Sequence, residues 1–354
     1  MNRLNQIRNK LAELGLDALL VYDELNQMYL SEFEFSDGFL IITAYNAYLV
    51  TDFRYYEMAL TGAADGFEVV MPSDRAAFID EVLKKDNVIS VGFEGNYVSF
   101  SSYTSLCEKH PDFKFVSIGD TIEVMRQIKT QDEIDKMQLA QNITDAAFSH
   151  LLGMITPNMT EIEVAAELEY AMKKHGADGL AFSSIAVSGD ASALPHGTPR
   201  NVKLKRGFLT MDFGAKYQGY CSDMTRTIVI GKADNEIKKL YETVLSAQLA
   251  ALEYLVHGRD AGEADKIARD IIDKDYKGTF GHSLGHAIGL LVHEMPALSP
   301  RTIGKKLLTG HVVSVEPGIY LFGKYGCRIE DMVAIRDDGL HNFTHSTKEL
   351  IEIL

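Results

Sequence analysis

GFLTMDFGAKYQGYCSDMTRTIVI, residues 207–230, reads as two strands joined by a tight, glycine-containing connection. Its two aspartates, Asp212 and Asp223, decide how the chain is read. A hairpin centred on Tyr217-Gln218 sets position 212 opposite position 223, with both carboxylates on one face and Cβ atoms about 5 Å apart. Carboxylates that close repel unless they share a proton or hold a cation between them. HVVSVEPGIYLFGKYGCRIEDMVAI, residues 311–335, repeats the device, because Glu316 and Glu330 fall symmetrically about Gly323. Val312, Val313, Val315, Ile319, Ile329 and Val333 around them favour a buried pair over an exposed acidic edge. Burial without compensation would be costly for each charge.

Between the hairpins lies GTFGHSLGHAIGLLVHEMP, residues 278–296, with His282, His286 and His293 among glycines. A fourth histidine, His196, sits in the Ser/Gly/Pro-rich loop SGDASALPHGTPRN, residues 188–201. A lone histidine is usually an ordinary core or surface residue, but three within twelve positions beside two carboxylate pairs weigh towards a site. Asp212, Asp223, His286, Glu316 and Glu330 form a hard, oxygen-rich set. Such a set suits two Mn²⁺ or similar first-row ions, whereas structural zinc draws mainly on Cys and His. The expected chemistry is metal-assisted hydrolysis.

The whole chain sets the limits of that reading. Its 354 residues exceed one usual hydrophobic core, so two domains are expected, 1–123 and 124–354. At 46% hydrophobic and 24% charged it has the composition of a soluble globular protein. A net charge of -15 opposes a nucleic-acid footprint or adhesion to anionic membranes. MNRLNQIRNKLAELGLDALLV, residues 1–21, is an amphipathic helix leading into a strand and not a signal peptide. No apolar run of about 18 residues occurs. Cys107, Cys221 and Cys327 show no paired spacing, and the chain is expected in the cytoplasm.

The first 123 residues alternate strand-like runs, such as FLIITAYNAYLVTD, with helices such as RAAFIDEVLKK. Thr130 with Glu133, and Thr160 with Glu163, mark two capping boxes that open long helices of the second half. NEIKKLYETVLSAQLAALEYLVHG and GEADKIARDIIDK are further amphipathic helices.

MDFGAKYQGYCSDMTRT, GHSLGHAIGLLVHE, SVEPGIY and RIEDMV resemble, in order, the signature segments of the pita-bread metallopeptidases. That family holds aminopeptidase P, prolidase, methionine aminopeptidase and the metal-free creatinase. LVTDFRYYEMA, residues 49–59, is similar to the amino-terminal domain of the aminopeptidase P and prolidase branch. The resemblance implies an α+β fold: a catalytic pita-bread domain with a curved antiparallel sheet, preceded by a smaller creatinase-like α/β domain. It also implies a homodimer and a proline-containing peptide as substrate.

By the same resemblance Asp212 would chelate one of two divalent ions, Asp223 and Glu330 would bridge both, and His286 with Glu316 would complete the second. Mn²⁺ is the expected metal, with Co²⁺, Fe²⁺ or Zn²⁺ as alternatives. A hydroxide between the ions would attack the scissile carbonyl and Glu316 would shuttle its proton. His196 and His293 match positions that contact substrate and stabilise the tetrahedral intermediate, while His282 and Arg328 match positions that line the pocket. Ala287 and Leu291 depart from the family's usual residues without removing a ligand. Ala297 stands where many prolidases carry arginine, which tilts the expectation to an Xaa-Pro aminopeptidase, with the Xaa-Pro dipeptidase (prolidase) as alternative. A non-catalytic binding protein on the same fold would lack a ligand, and all five are present.

Overall fold

In the computed structural model, which describes residues 2–354, α1 (Arg3–Leu14) buries Leu4, Ile7 and Leu11 at helical spacing. It leads to β1 (Ala18–Val21), α2 (Glu24–Ser31) and a hairpin of β2 (Phe39–Thr43) and β3 (Ala47–Val50). Then follow α3 (Phe53–Gly62), β4 (Glu68–Val70), α4 (Arg75–Lys85), β5 (Ser90–Phe93), α5 (Phe100–Lys109), β6 (Lys114–Ser117) and α6 (Thr121–Arg126). The chain divides into two units between Arg126 and Gln127. In the first unit one mixed sheet runs β4-β3-β2-β1-β5-β6. Every residue of β1, β2 and β3 is buried, as expected of strands covered on both faces.

The second unit opens with α7 (Gln131–Leu152) and α8 (Glu161–Lys174), both started by the expected capping boxes. Next come β7 (Gly179–Leu180), β8 (Ile185–Ser188), β9 (Gly207–Phe213), β10 (Ala215–Tyr217), β11 (Tyr220–Cys221) and β12 (Met224–Ile230). Two helices, α9 (Asn235–Tyr254) and α10 (Ala261–Tyr276), separate these from β13 (Gly285–Ala287), β14 (Glu294–Leu298), β15 (Val312–Val315) and β16 (Gly318–Leu321). The last strands are β17 (Tyr325–Arg328), β18 (Asp331–Arg336), β19 (Gly339–Asn342) and β20 (Glu352–Ile353). The main sheets run β20-β12-β9-β8 and β14-β13-β15-β18-β19. Along β9, Phe208 joins the core under α9 and α10, whereas Leu209, Met211 and Phe213 join the core under α7 and α8. Period-two alternation thus feeds two helical layers from one strand. Among the described residues no helix is long and apolar enough to cross a membrane.

The two hairpins differ from each other in how well symmetry describes them. Glu316 and Glu330 sit opposite, since Val315 pairs with Asp331 on one side and Gly318 with Arg328 on the other. In the first hairpin the turn falls one residue later than expected. Tyr217 pairs with Tyr220, and Asp212 faces Thr225 instead of Asp223. Gln218 (φ 46°) and Gly219 (φ 82°) occupy the left-handed region at both central positions, as a type I′ turn requires. Tyr217 stays extended in β10, and the shift makes the two aspartates diagonal neighbours.

Candidate metal centre and active site

Despite the shifted register, Asp212, Asp223, His286, Glu316, Glu330, His196, His282, His293 and Arg328 all line one cavity of about 860 Å³. Asp223 precedes β12, and Glu330 lies where the β15/β18 ladder gives way to the β16/β17 ladder. His286 is carried by β13, against a sheet neighbour that demands a small residue before it. A Cβ at Gly285 would collide with the Ser314 carbonyl, and the Ser314 hydroxyl accepts the His286 backbone N–H at 3.1 Å.

One ligand atom each from Asp223, His286 and Glu330 fit within 4.8 Å of one another. Asp212 and Glu316 stand outside that tight group but border the same space. Asp212 Oδ2 accepts from Arg328 Nη2 at 2.8 Å, and Glu316 Oε1 is 3.3 Å from His286 Nε2. Asp212 Oδ1, by contrast, is buried without any hydrogen-bond partner. A buried carboxylate oxygen left unmatched is costly unless a cation completes it.

The electrostatics point the same way. Burial, then Glu330 and Asp212, push the Asp223 carboxyl well above its ordinary range. Burial, then Glu316 and Asp212, do the same to Glu330, whose nearest compensation is the Thr225 hydroxyl at 2.7 Å. Burial raises Asp212 too, against the pull of Arg328. Glu316 alone is held low: burial opposes ionisation, but the hydrogen bond and charge of His286 outweigh it. Even with the Arg328 guanidinium and a charged His286 beside them, four carboxylates leave the cluster short of positive charge. Hard divalent cations fit both the donor set and the deficit.

Arg328 is the hub of the surrounding network. Its Nε donates to the Thr225 hydroxyl at 2.9 Å and its Nη1 reaches the Tyr320 hydroxyl at 2.9 Å. Tyr320 in turn bonds His282 Nε2 at 2.8 Å. Burial lowers the His282 pKa, so its imidazole is neutral near pH 7. Burial and the neighbouring His286 lower His293 as well, and those two rings lie 4.2 Å apart. His196 and His293 are exposed at the cavity wall.

Tyr320 was not singled out by the sequence reading, although the register of its hairpin contains the signal. Gly318 pairs with Arg328, and Tyr320, two residues on, shares that face. A Cβ at Gly318 would strike the Tyr320 hydroxyl, so glycine there lets the phenol lie across to Arg328. Asp265 and Arg269 were missed for a different reason: they lie on α10, outside every motif. Arg269 donates to the carbonyls of Phe280 at 2.6 Å and His282 at 2.8 Å, while Asp265 accepts the Leu284 N–H at 2.9 Å. Together they pin the glycine-histidine loop to the helix.

Comparison with known proteins agrees with this architecture. Residues 135–337 match the model of metallopeptidase family M24, and residues 3–128 match the creatinase/prolidase N-terminal domain. The Xaa-Pro dipeptidase of Pyrococcus furiosus is 37% identical, with 99% of each chain covered. Among solved structures, an Xaa-Pro dipeptidase from Bacillus anthracis is 40% identical with a TM-score of 0.94, covering 99% of both chains. An X-Pro aminopeptidase from Thermotoga maritima is 36% identical with a TM-score of 0.91, covering 100% of both. The chain belongs to metallopeptidase family M24, with a creatinase-type first domain and a pita-bread second domain.

Proposed function

We propose that this M24 metallopeptidase hydrolyses the Xaa-Pro bond of short peptides, using two divalent ions held by Asp212, Asp223, His286, Glu316 and Glu330. The observation that carries the reading is the charge deficit of the cleft: Asp223 and Glu330 resist ionisation, and Asp212 Oδ1 has no partner. When bound, the ions supply Lewis acidity and an acidified water. Mn²⁺ is the proposed metal, on the strength of the carboxylate-rich donors.

The chain's own residues do the rest. Glu316 Oε1, kept ionised beside His286 and accepting from the Ser314 hydroxyl at 3.2 Å, takes the proton of the attacking water and returns it to the leaving nitrogen. His293 and His196, on the open wall, donate hydrogen bonds to the carbonyl oxygen as charge develops there. Arg328, tied to Tyr320 and the proline-loop carbonyl of Pro195, holds Asp212 in place from the side away from solvent.

Among substrates, the names of the relatives support the dipeptidase better than the aminopeptidase reading. One observation favours longer peptides: Ala297 lines the cleft and presents no cation to a dipeptide's carboxylate at that point. The division after Arg126 supports treating the units as separate domains, and the unpaired cysteines support a reducing, cytoplasmic setting. Assembly as a homodimer belongs to the same proposal and is tested by light scattering. Substrate choice is tested with Mn²⁺-loaded protein on Xaa-Pro, Xaa-Pro-Yaa and Xaa-Pro-Yaa-Zaa. Metal content near two ions per chain, with cleavage after Xaa that ceases on chelation, is expected; metal-independent cleavage, or none of any Xaa-Pro bond, would refute the reading.

A further inference from the structure

His196 stands on a loop that is closed at its base by a single buried carboxylate. The loop runs from Ser188, the last residue of β8, to Arg200, through a 3₁₀ turn at Gly189–Ala193. Leu194 and His196 are exposed on it, as an imidazole that meets substrate must be. Exposure gives such a side chain little packing of its own, so its position depends on what holds the loop.

Glu161, the first residue of α8, closes that loop. Thr160 and Glu163 make the capping box between them, and the Glu161 carboxylate turns to the loop instead. Its Oε1 accepts the backbone N–H and the hydroxyl of Ser188, both at 2.8 Å, and Arg200 Nη2 at 2.6 Å. Its Oε2 accepts the Arg200 backbone N–H at 3.0 Å and Arg200 Nε at 2.8 Å. Both ends of the loop thus meet on one side chain that is 0% exposed. A carboxylate buried so completely depends on its cation, and Arg200 is the cation bonded to it.

The other ties of the loop are weaker. The Ser192 hydroxyl accepts the Gly326 N–H at 2.9 Å, and the Pro195 carbonyl accepts from Arg328 Nη1 at 3.3 Å. Lys205 pairs with Asp190 at 2.6 Å, but both side chains are half-exposed, where an ion pair contributes little.

We propose that Glu161 and Arg200 are positioning residues for His196: their pair fixes the base of loop 188–200 and so aims the imidazole at the scissile carbonyl. Neither residue lines the cleft, so the pair acts on the reaction only through the loop. The inference rests on the role of His196 proposed above. A hydrogen bond to the developing oxyanion is made in the transition state, so misplacing its donor lowers kcat and leaves KM nearly unchanged.

The test is a double-mutant cycle of Arg200→Met and His196→Ala, with each protein loaded with Mn²⁺ and assayed on an Xaa-Pro peptide. His196→Ala should lower kcat on the order of a hundredfold and Arg200→Met on the order of tenfold, with KM and bound metal near wild type. The combined variant should be no slower than His196→Ala alone, since a loop without its imidazole has nothing to aim. Arg200→Lys keeps the charge without the planar fork and should recover part of the loss. Lys205→Met should leave kcat within about twofold. A full Arg200→Met loss in the His196→Ala background would mean a general structural role and overturn the proposal, as would either single variant at wild-type speed. If wild type cleaves no Xaa-Pro bond, it is that reading which fails, and hydrogen exchange decides the clamp. The Leu194 and Gly197 amides, bonded within the loop to Ala191 and Leu194, should then exchange about tenfold faster in Arg200→Met, with β9 unchanged. Unaltered exchange at both would overturn it.

Discussion

Glu330 and Asp331 are adjacent, with 1% and 0% of their surface exposed, and they face opposite electrostatic surroundings. Asp331 accepts from Arg226 Nη2 at 2.8 Å, Lys348 Nζ at 2.7 Å and Asn342 Nδ2 at 2.9 Å. Burial pushes its carboxyl up, but the two cations outweigh burial and hold it below the ordinary range. Glu330, pointing to the other face, meets a hydroxyl and three carboxylates and is pushed far the other way. Thr225 and Arg226 repeat the alternation on β12, one serving each face. Burial of a carboxylate therefore says little by itself. What separates a site from a structural ion pair is whether the protein supplies the compensating charge.

Exchanging charge for amide at these neighbours should give the largest effects, and of opposite kinds. Glu330→Gln removes a proposed bridging ligand and should cost activity on the order of a thousandfold. The metal-free variant should be at least as stable as wild type, because a repulsive buried charge is gone. Asp331→Asn leaves Arg226 and Lys348 without a counter-charge and should cost about 3 kcal/mol of stability, with turnover per folded molecule retained. Steady-state kinetics and denaturant titration on both variants check this. If Asp331→Asn were inactive while fully folded, or Glu330→Gln active, the division between the two faces would be broken.

A third buried carboxylate, in the first unit, tests which kind of compensation matters. Glu94 accepts the backbone N–H groups of Tyr22 at 2.6 Å and Asp23 at 2.9 Å, and Asn26 Nδ2 at 2.8 Å. Among the described residues it has these three donors and no cation bonded to it. Burial raises its pKa from 4.5 to about 7, with those hydrogen bonds only partly opposing. Because the folded value lies above the unfolded one, the group's stabilising contribution is complete below pH 4.5 and is lost as the pH rises through 7. The loss should reach about 3 kcal/mol at the shift's full span. Denaturant titrations at acid and mildly alkaline pH should show this decline in wild type and its absence in Glu94→Gln. A flat wild-type profile would mean that hydrogen bonds alone keep the carboxylate ionised.

Metal binding should separate the two faces by a slightly smaller amount. At a hundredfold excess over Kd, Mn²⁺ should stabilise the folded chain by about 2.7 kcal/mol. The thermal shift should persist in Asp331→Asn from a lower baseline, shrink in Glu330→Gln and reverse on chelation. An undiminished shift in Glu330→Gln would place the ion elsewhere.

These distinctions were legible in the sequence to unequal degrees. The capping boxes at Thr130 and Thr160 are local signals, and the helices start where they indicate. The Glu316–Glu330 pairing follows from counting outward from Gly323, whose turn has no competing centre. In the earlier hairpin the expected centre at Tyr217-Gln218 is one residue early, because the left-handed backbone at Gln218 and Gly219 sets the turn there. Motif order along the chain was enough to assemble the cleft. The side chains that complete it were not readable, since Tyr320 reaches His282 across 38 positions and Arg226 reaches Asp331 across 105. Charge alone could not tell Glu330 from Asp331, because compensation depends on which face each one takes.

The smallest test asks what holds Asp331 ionised. Asn342, on β19, donates to Asp331 Oδ2 and accepts the Thr344 N–H at 2.9 Å through its other amide atom. Asn342→Ala deletes both bonds but leaves Arg226 and Lys348 in contact with the carboxylate. If the cations do the compensating, the cost should be about 1 kcal/mol, the net worth of ordinary hydrogen bonds. Turnover should be unchanged, because Asn342 contacts the face turned away from the cleft. Thermal denaturation of Asn342→Ala beside Asp331→Asn measures the ratio directly. Equal losses would mean that the amide orients Asp331 for its cations and that the ion pairs fail without it, which would make compensation on this face a property of geometry before charge.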